Sequence, residues 1–255
     1  MKAILISIAS GTLLAALTMA QTPRYTVTDL GGLAGGSYSS GNAIGNNGLV
    51  GGVESLPDGT QHAVLWFLGL GLKLDIGKGG PGGPNSGVYG VNDRGEALIG
   101  AETSAKDPNN ENFCDYGTGL KCLAFLWQGG VTTQLPTLGG NNATVGNNVN
   151  NRGEMPGIAE TAIRDPQCPS GVAANGTGPQ VLDYGAVIWG PGSGDIRKLN
   201  PIPGDTVGMA FWINDNSQAV GASGTCANSA PPPFAFGSHA VLWEKDGSVT
   251  SISFQ

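Results

Sequence analysis

An apolar tetrad ending in tryptophan occurs four times along this chain, and no other feature restricts its fold as strongly. It reads AVLW at Ala63 to Trp66, AFLW at Ala124 to Trp127, AVIW at Ala186 to Trp189 and AVLW at Ala240 to Trp243. The tryptophans stand 61, 62 and 54 residues apart. A second mark precedes each tetrad: AIGNNGLVGG from Ala43, GVNDRGEALIG from Gly90, NVNNRGEMPG from Asn148 and WINDNSQAVG from Trp212. A third follows: LKLDIG from Leu72, TTQLPTLGG from Thr132, IRKLNPIPG from Ile196 and VTSIS from Val249. Marks recurring in fixed order imply structural units that bury their apolar faces on their neighbours.

Each unit reads as four short strands, a to d. The Asn/Asp/Gly turn at Gly48, Gly95, Gly153 or Ser217 joins a to b, because these residues accept left-handed backbone angles or bond their own backbone. Strand c is the tetrad, apolar at consecutive positions and therefore buried on both faces. A short turn, such as Gln128-Gly129-Gly130, returns the chain as strand d. Long helices are disfavoured by 44 Gly and 16 Pro in 255 residues, since each interior Gly costs about 1 kcal/mol against Ala. Four-stranded units of this length predict an all-β, propeller-like array of four antiparallel blades. Their approximate bounds are 43–76, 88–136, 145–199 and 208–254. A copy of the third mark, YTVTDLGGLAGG from Tyr25, predicts one further strand over 25–30.

The N-terminus carries Lys2, an apolar run from Ala3 and the small-residue ending Thr18-Met19-Ala20. That order predicts a secretory signal peptide over 1–20, with a single repeat domain over 21–255. No other segment approaches membrane-spanning length. The formal charge is −7 for the whole chain, one unit more negative without Lys2. Nucleic acid is excluded as a partner by that balance, since phosphate binding needs clustered Lys and Arg. An exported chain with four cysteines predicts disulfides, whereas zinc would call for Cys-x-x-Cys pairs or histidine partners.

The repeated marks are similar to those of the extracellular HAF-repeat proteins, named for a His-Ala-Phe triplet before Leu-Trp. The triplet positions here read His62-Ala63-Val64, Leu123-Ala124-Phe125, Gly185-Ala186-Val187 and His239-Ala240-Val241, and Asn92, Asn150 and Asn214 match the family turn. The resemblance runs from Tyr25 to the C-terminus and implies export and repeat architecture; it implies no activity.

In an antiparallel meander, the b-to-c and d-to-a connections share one face. Three b-to-c loops are long, spanning 103–121, 160–183 and 222–237, and long loops on a rigid scaffold are where binding concentrates. All four cysteines fall in or at the edge of those loops, predicting Cys114 with Cys122 and Cys168 with Cys226. The same loops offer Phe113, Tyr116, Phe234 and Phe236 as exposed rings able to stack on a sugar or peptide. The acids Glu102, Asp107, Glu111 and Asp115 read as solvated loop charges. His62 and His239 share one repeat position, which points to packing or hydrogen bonding. The G-x-G-x-x-G match at Gly77, Gly79 and Gly82 lacks the strand-loop-helix context of a nucleotide site. These observations predict a secreted, cofactor-free and metal-free module that binds an extracellular glycan or protein through its long-loop face. The competing reading is a polysaccharide hydrolase or lyase using acids on that face.

Overall fold

The computed structural model describes residues 25–78, 81–168, 179–228 and 237–252. The expected signal segment, Gly79, Phe234 and Phe236 lie outside them. The described residues fall in two compact units, 1–31 and 32–255. In the first, residues 25–31 form no strand, so the strand expected over 25–30 is not made. A strand exists only through hydrogen bonds to a neighbouring strand, and sequence likeness to strand d supplies no such neighbour.

The second unit holds four antiparallel sheets of four strands, each strand paired with the next in sequence. Sheet 1 is β1 (Ser39–Ile44), β2 (Leu49–Ser55), β3 (Gln61–Phe67) and β4 (Leu72–Asp75). Sheet 2 is β5 (Ser86–Val91), β6 (Glu96–Lys106), β7 (Leu120–Gln128) and β8 (Val131–Gln134). Sheet 3 is β9 (Gly139–Val145), β10 (Met155–Arg164), β11 (Leu182–Trp189) and β12 (Ile196–Lys198). Sheet 4 is β13 (Val207–Ile213), β14 (Ala219–Gly224), β15 (His239–Trp243) and β16 (Val249–Ser251). The first strands of sheets 1 and 3 begin earlier than the repeat bounds suggested. Stretches such as Ser39-Ser40-Gly41 carry no apolar signal, yet their backbones pair normally. The second strands of sheets 2 and 3 run on to Lys106 and Arg164, which shortens the long loops.

The tetrad decides how sheets stack. Alternate residues on β3, β7, β11 and β15 point to opposite faces, giving each sheet one face with Trp and a second with Ala and Leu or Ile. Ala63, Leu65 and Ile76 of sheet 1 pack in one cluster with Ala97, Phe125 and Trp127 of sheet 2. Ala124, Leu126 and Leu135 meet Met155, Val187 and Trp189 in the next cluster. Ala186, Ile188 and Leu199 meet Ala219, Val241 and Trp243 in the third. The Trp66 and Trp189 rings lie close over glycines of their own sheets, Gly52 and Gly157. A β-carbon at Gly157 would come within 2.6 Å of the Trp189 ring and of the Thr144 carbonyl oxygen.

Two of the indole N–H groups also reach back one sheet. Trp189 Nε1 donates to the Pro136 carbonyl at 2.8 Å and Trp243 Nε1 to that of Asn200 at 2.7 Å. The buried Trp66 Nε1, in the first sheet, has no hydrogen-bond partner among the described residues. On one face the a-to-b turns form a ladder. Asn46 donates through its backbone and side chain to Asp93, the Asp93 N–H donates to Asn151, and Asn151 donates through both groups to Asp215. On the other face, disulfides join Cys114 to Cys122 and Cys168 to Cys226. No helix of the described residues is long and apolar enough to cross a membrane.

Trp189→Phe is expected to lower stability by about 1 kcal/mol more than Trp66→Phe in urea unfolding, because only the first change strands a carbonyl that had a partner. Cys168→Ser with Cys226→Ser should cost about 4 kcal/mol, and Cys114→Ser with Cys122→Ser about 2.5 kcal/mol. The difference follows from loops of 58 and 8 residues in the chain-entropy relation, and denaturation midpoints of the two variants test it.

Candidate binding face

The long-loop face gathers the residues that sequence reading singled out, in different roles from those expected. Phe113 is 1% exposed and packs with Cys122, Ile158, Tyr184 and Met209. It is a core residue because the bridge from Cys114 to Cys122 folds its loop back onto sheets 2 and 3. Tyr116 is half-buried. Its hydroxyl hydrogen-bonds that of Tyr89, and burial pushes both phenols above their ordinary range.

The acids depart furthest from expectation. Of the four read as solvated loop charges, only Asp115 is exposed, while Glu102, Asp107 and Glu111 are buried. Their burial is possible because each finds donors. Glu102 accepts from the Asn85 amide at 2.7 Å and from the Thr118 hydroxyl. Asp107 accepts from the backbone N–H groups of Asn109 and Glu111 and, at 2.9 Å, from the Asn142 amide. Glu111 crosses to sheet 3, accepting from the N–H groups of Val181 and Leu182 at 2.6 and 3.1 Å.

Glu160, at the edge of the second long loop, completes this cluster. It accepts from the Asn141 and Asn142 backbones, from the Asn142 side chain and from the Gln180 amide. Burial, and then the hydrogen-bonded Glu111 carboxylate beside it, push the Glu160 carboxyl up to about 9. A neutral Glu160 resolves the electrostatics, since none of the ion pairs among the described residues reaches Asp107, Glu111 or Glu160. Fully buried and in mutual contact, Glu111 and Glu160 hold sheets 2 and 3 together. They stand closer than the roughly 5 Å or more that flanks a glycosidic bond. No sequence pattern marks the cluster, because its members lie at 107, 111, 142, 160 and 180 and meet only through sheet stacking.

Repeat equivalence of the histidines has a chemical counterpart. His62 Nδ1 lies 2.9 Å from Asp75 and His239 Nδ1 lies 2.9 Å from Asp205, so both rings are spent on a neighbouring carboxylate. Asp165 approaches Cys168 and Cys226, but those sulfurs are bonded to each other and offer no thiolate to a metal.

Solvent reaches the loop face at a cavity of about 360 Å³ lined by Asp58, Gly59, Thr60, Gln61, Asn85, Asp115 and Tyr116. Hydrogen bonds from Thr60 hold the fully exposed Asp58 carboxyl below its ordinary range, while partial burial raises that of Asp115. Behind Tyr116 a smaller cavity of about 120 Å³ is lined by Tyr89, Tyr116, Val145, Ile158 and Phe211, among others. Tyr116 lines both. The opposite face carries an opening of about 380 Å³ ringed by the four a-to-b turns, whose side chains are largely engaged in the turn ladder. Compared with known proteins, the chain matches no family model and no curated protein.

A raised Glu160 makes stability depend on pH in a definite direction. Between roughly pH 4.5 and 9 the folded protein retains a proton that the unfolded chain has released, so stability falls as pH rises through that window, by about 1.4 kcal/mol per pH unit for one proton. Urea unfolding from pH 5.5 to 8.5 should show this decline, and Glu160→Gln should flatten it.

Proposed function

We propose that this chain is a secreted, propeller-type repeat protein that binds an extracellular glycan on its long-loop face and releases it unchanged. The observation carrying this reading is the cavity at Asp58, Thr60, Gln61, Asn85, Asp115 and Tyr116. It places short hydrogen-bonding side chains around one aromatic ring, which suits the hydroxyls and the apolar face of a sugar. Its charged side chains are both acidic, so neutral or amino sugars are favoured over uronates and sulfated glycans. Export is supported by the N-terminal pattern and the two disulfides, because disulfides persist in oxidising compartments. The likeness to HAF-repeat proteins supports the same architecture and address.

Hydrolysis is disfavoured by the fate of the acids. Three of the four carboxylates proposed for an acid site are buried and engaged in hydrogen bonds within the fold. A glycan panel probed with the purified protein should show binding to neutral or amino sugars. Asp58→Ala combined with Asp115→Asn should weaken it at least tenfold, with the ligand recovered intact by mass spectrometry. Release of new reducing ends would refute the non-catalytic reading, and unchanged binding by the double variant would remove the site.

A further inference from the structure

The inner cavity behind Tyr116 has a chemistry that the outer one lacks. Its walls come from three sheets, with Tyr89 and Gly100 from sheet 2, Val145 and Ile158 from sheet 3, and Phe211 from sheet 4. Those walls are mainly apolar. Thr144 and Asn147 also line it, and neither side chain forms a hydrogen bond among the described residues. At about 120 Å³ the space is smaller than the roughly 150 Å³ of an apolar cavity that takes one benzene molecule. It therefore holds a short side group and not a sugar ring. Tyr116 is the one residue that lines both cavities. Its hydroxyl is bonded to that of Tyr89, and its ring is half-buried in the loop folded back by the bridge from Cys114 to Cys122.

A substituent that fits here is short, ends in an apolar group and presents hydrogen-bonding atoms beside it. A carboxylate or sulfate would lose its hydration among apolar walls without a cation to pair it, since no Lys, Arg or His lines either cavity. An ammonium is drawn instead to Asp58 and Asp115 in the outer cavity, where opposite charges attract. A bare hydroxyl leaves the apolar walls empty. The acetamido group of an amino sugar supplies a methyl, a carbonyl acceptor and an N–H donor together.

We propose that the inner cavity is a subsite for the acetamido group of an N-acetylated hexosamine whose ring occupies the outer cavity. This rests on the glycan reading above and narrows it to one class of sugar. The Tyr116 ring turns aside as the group enters, and the Tyr89 hydroxyl released from it donates to the acetamido carbonyl. The methyl packs on Val145, Ile158 and Phe211, and the Asn147 side-chain carbonyl accepts from the acetamido N–H.

Isothermal titration of the protein with trimers of N-acetylglucosamine and of glucose, alike in linkage, compares ligands that differ in the acetamido group. The acetylated trimer should bind about tenfold tighter, the worth of one buried methyl and one hydrogen bond. Gly100→Ala should abolish that preference and leave the affinity for the glucose trimer unchanged. Its added β-carbon would stand 3.2 Å from Val145 and 3.4 Å from the Tyr89 ring, filling part of the inner cavity, and Gly100 does not line the outer one. Tyr89→Phe keeps the ring, removes the hydroxyl and should reduce the preference as well. Equal affinity for the two trimers overturns the subsite and leaves the glycan reading standing. Binding of neither overturns both. A preference that persists undiminished in both variants places the acetamido group elsewhere and also overturns the subsite.

Discussion

Stacking of a tryptophan face onto a face of Ala and Leu or Ile is the interaction on which the rest of this structure depends. Because strand side chains alternate, a four-residue segment such as Ala124-Phe125-Leu126-Trp127 supplies both faces at once, with Phe125 and Trp127 on one and Ala124 and Leu126 on the other. One strand therefore contributes to two interfaces. The flat lie of the indole over its own sheet makes glycine at Gly157 part of the same requirement. Where the indole N–H finds a carbonyl of the preceding sheet, the stacking acquires direction. The buried Trp66 N–H has no such partner among the described residues.

Polar groups then lock the stack at both ends of the strands. On one side the lock is repetitive, because it is made by turns that recur in sequence and so repeats from sheet to sheet. On the other it is particular. The loops there differ in length, and Asp107, Glu111 and Glu160 meet once, around Asn142 and Gln180. Burying three carboxylates is tolerated because backbone and amide donors surround them and one proton is retained.

Much of this was legible from residue order. The tetrads, the Asn/Asp/Gly turns and the spacing of the third mark placed sixteen strands in four sheets, because strand alternation and turn chemistry are local. Errors arose where partners are distant. Residues 25–30 resemble a fourth strand but form none, since pairing needs an edge. Phe113 looked like a loop ring open to solvent and is core. Glu102, Asp107 and Glu111 looked like loop charges and are buried, because the amides that receive them belong to Asn85, Asn142 and the start of β11.

Sequence alone determined the all-β architecture, the order of strands within each sheet and which residues face a neighbouring sheet. These follow from short-range periodicity and from turns that few residues can make. Only the tertiary structure decided which carboxylates lose their charge and which ring guards a cavity. Those outcomes depend on what lies across the gap between sheets, where residues far apart in the chain share a dielectric, a proton or a surface.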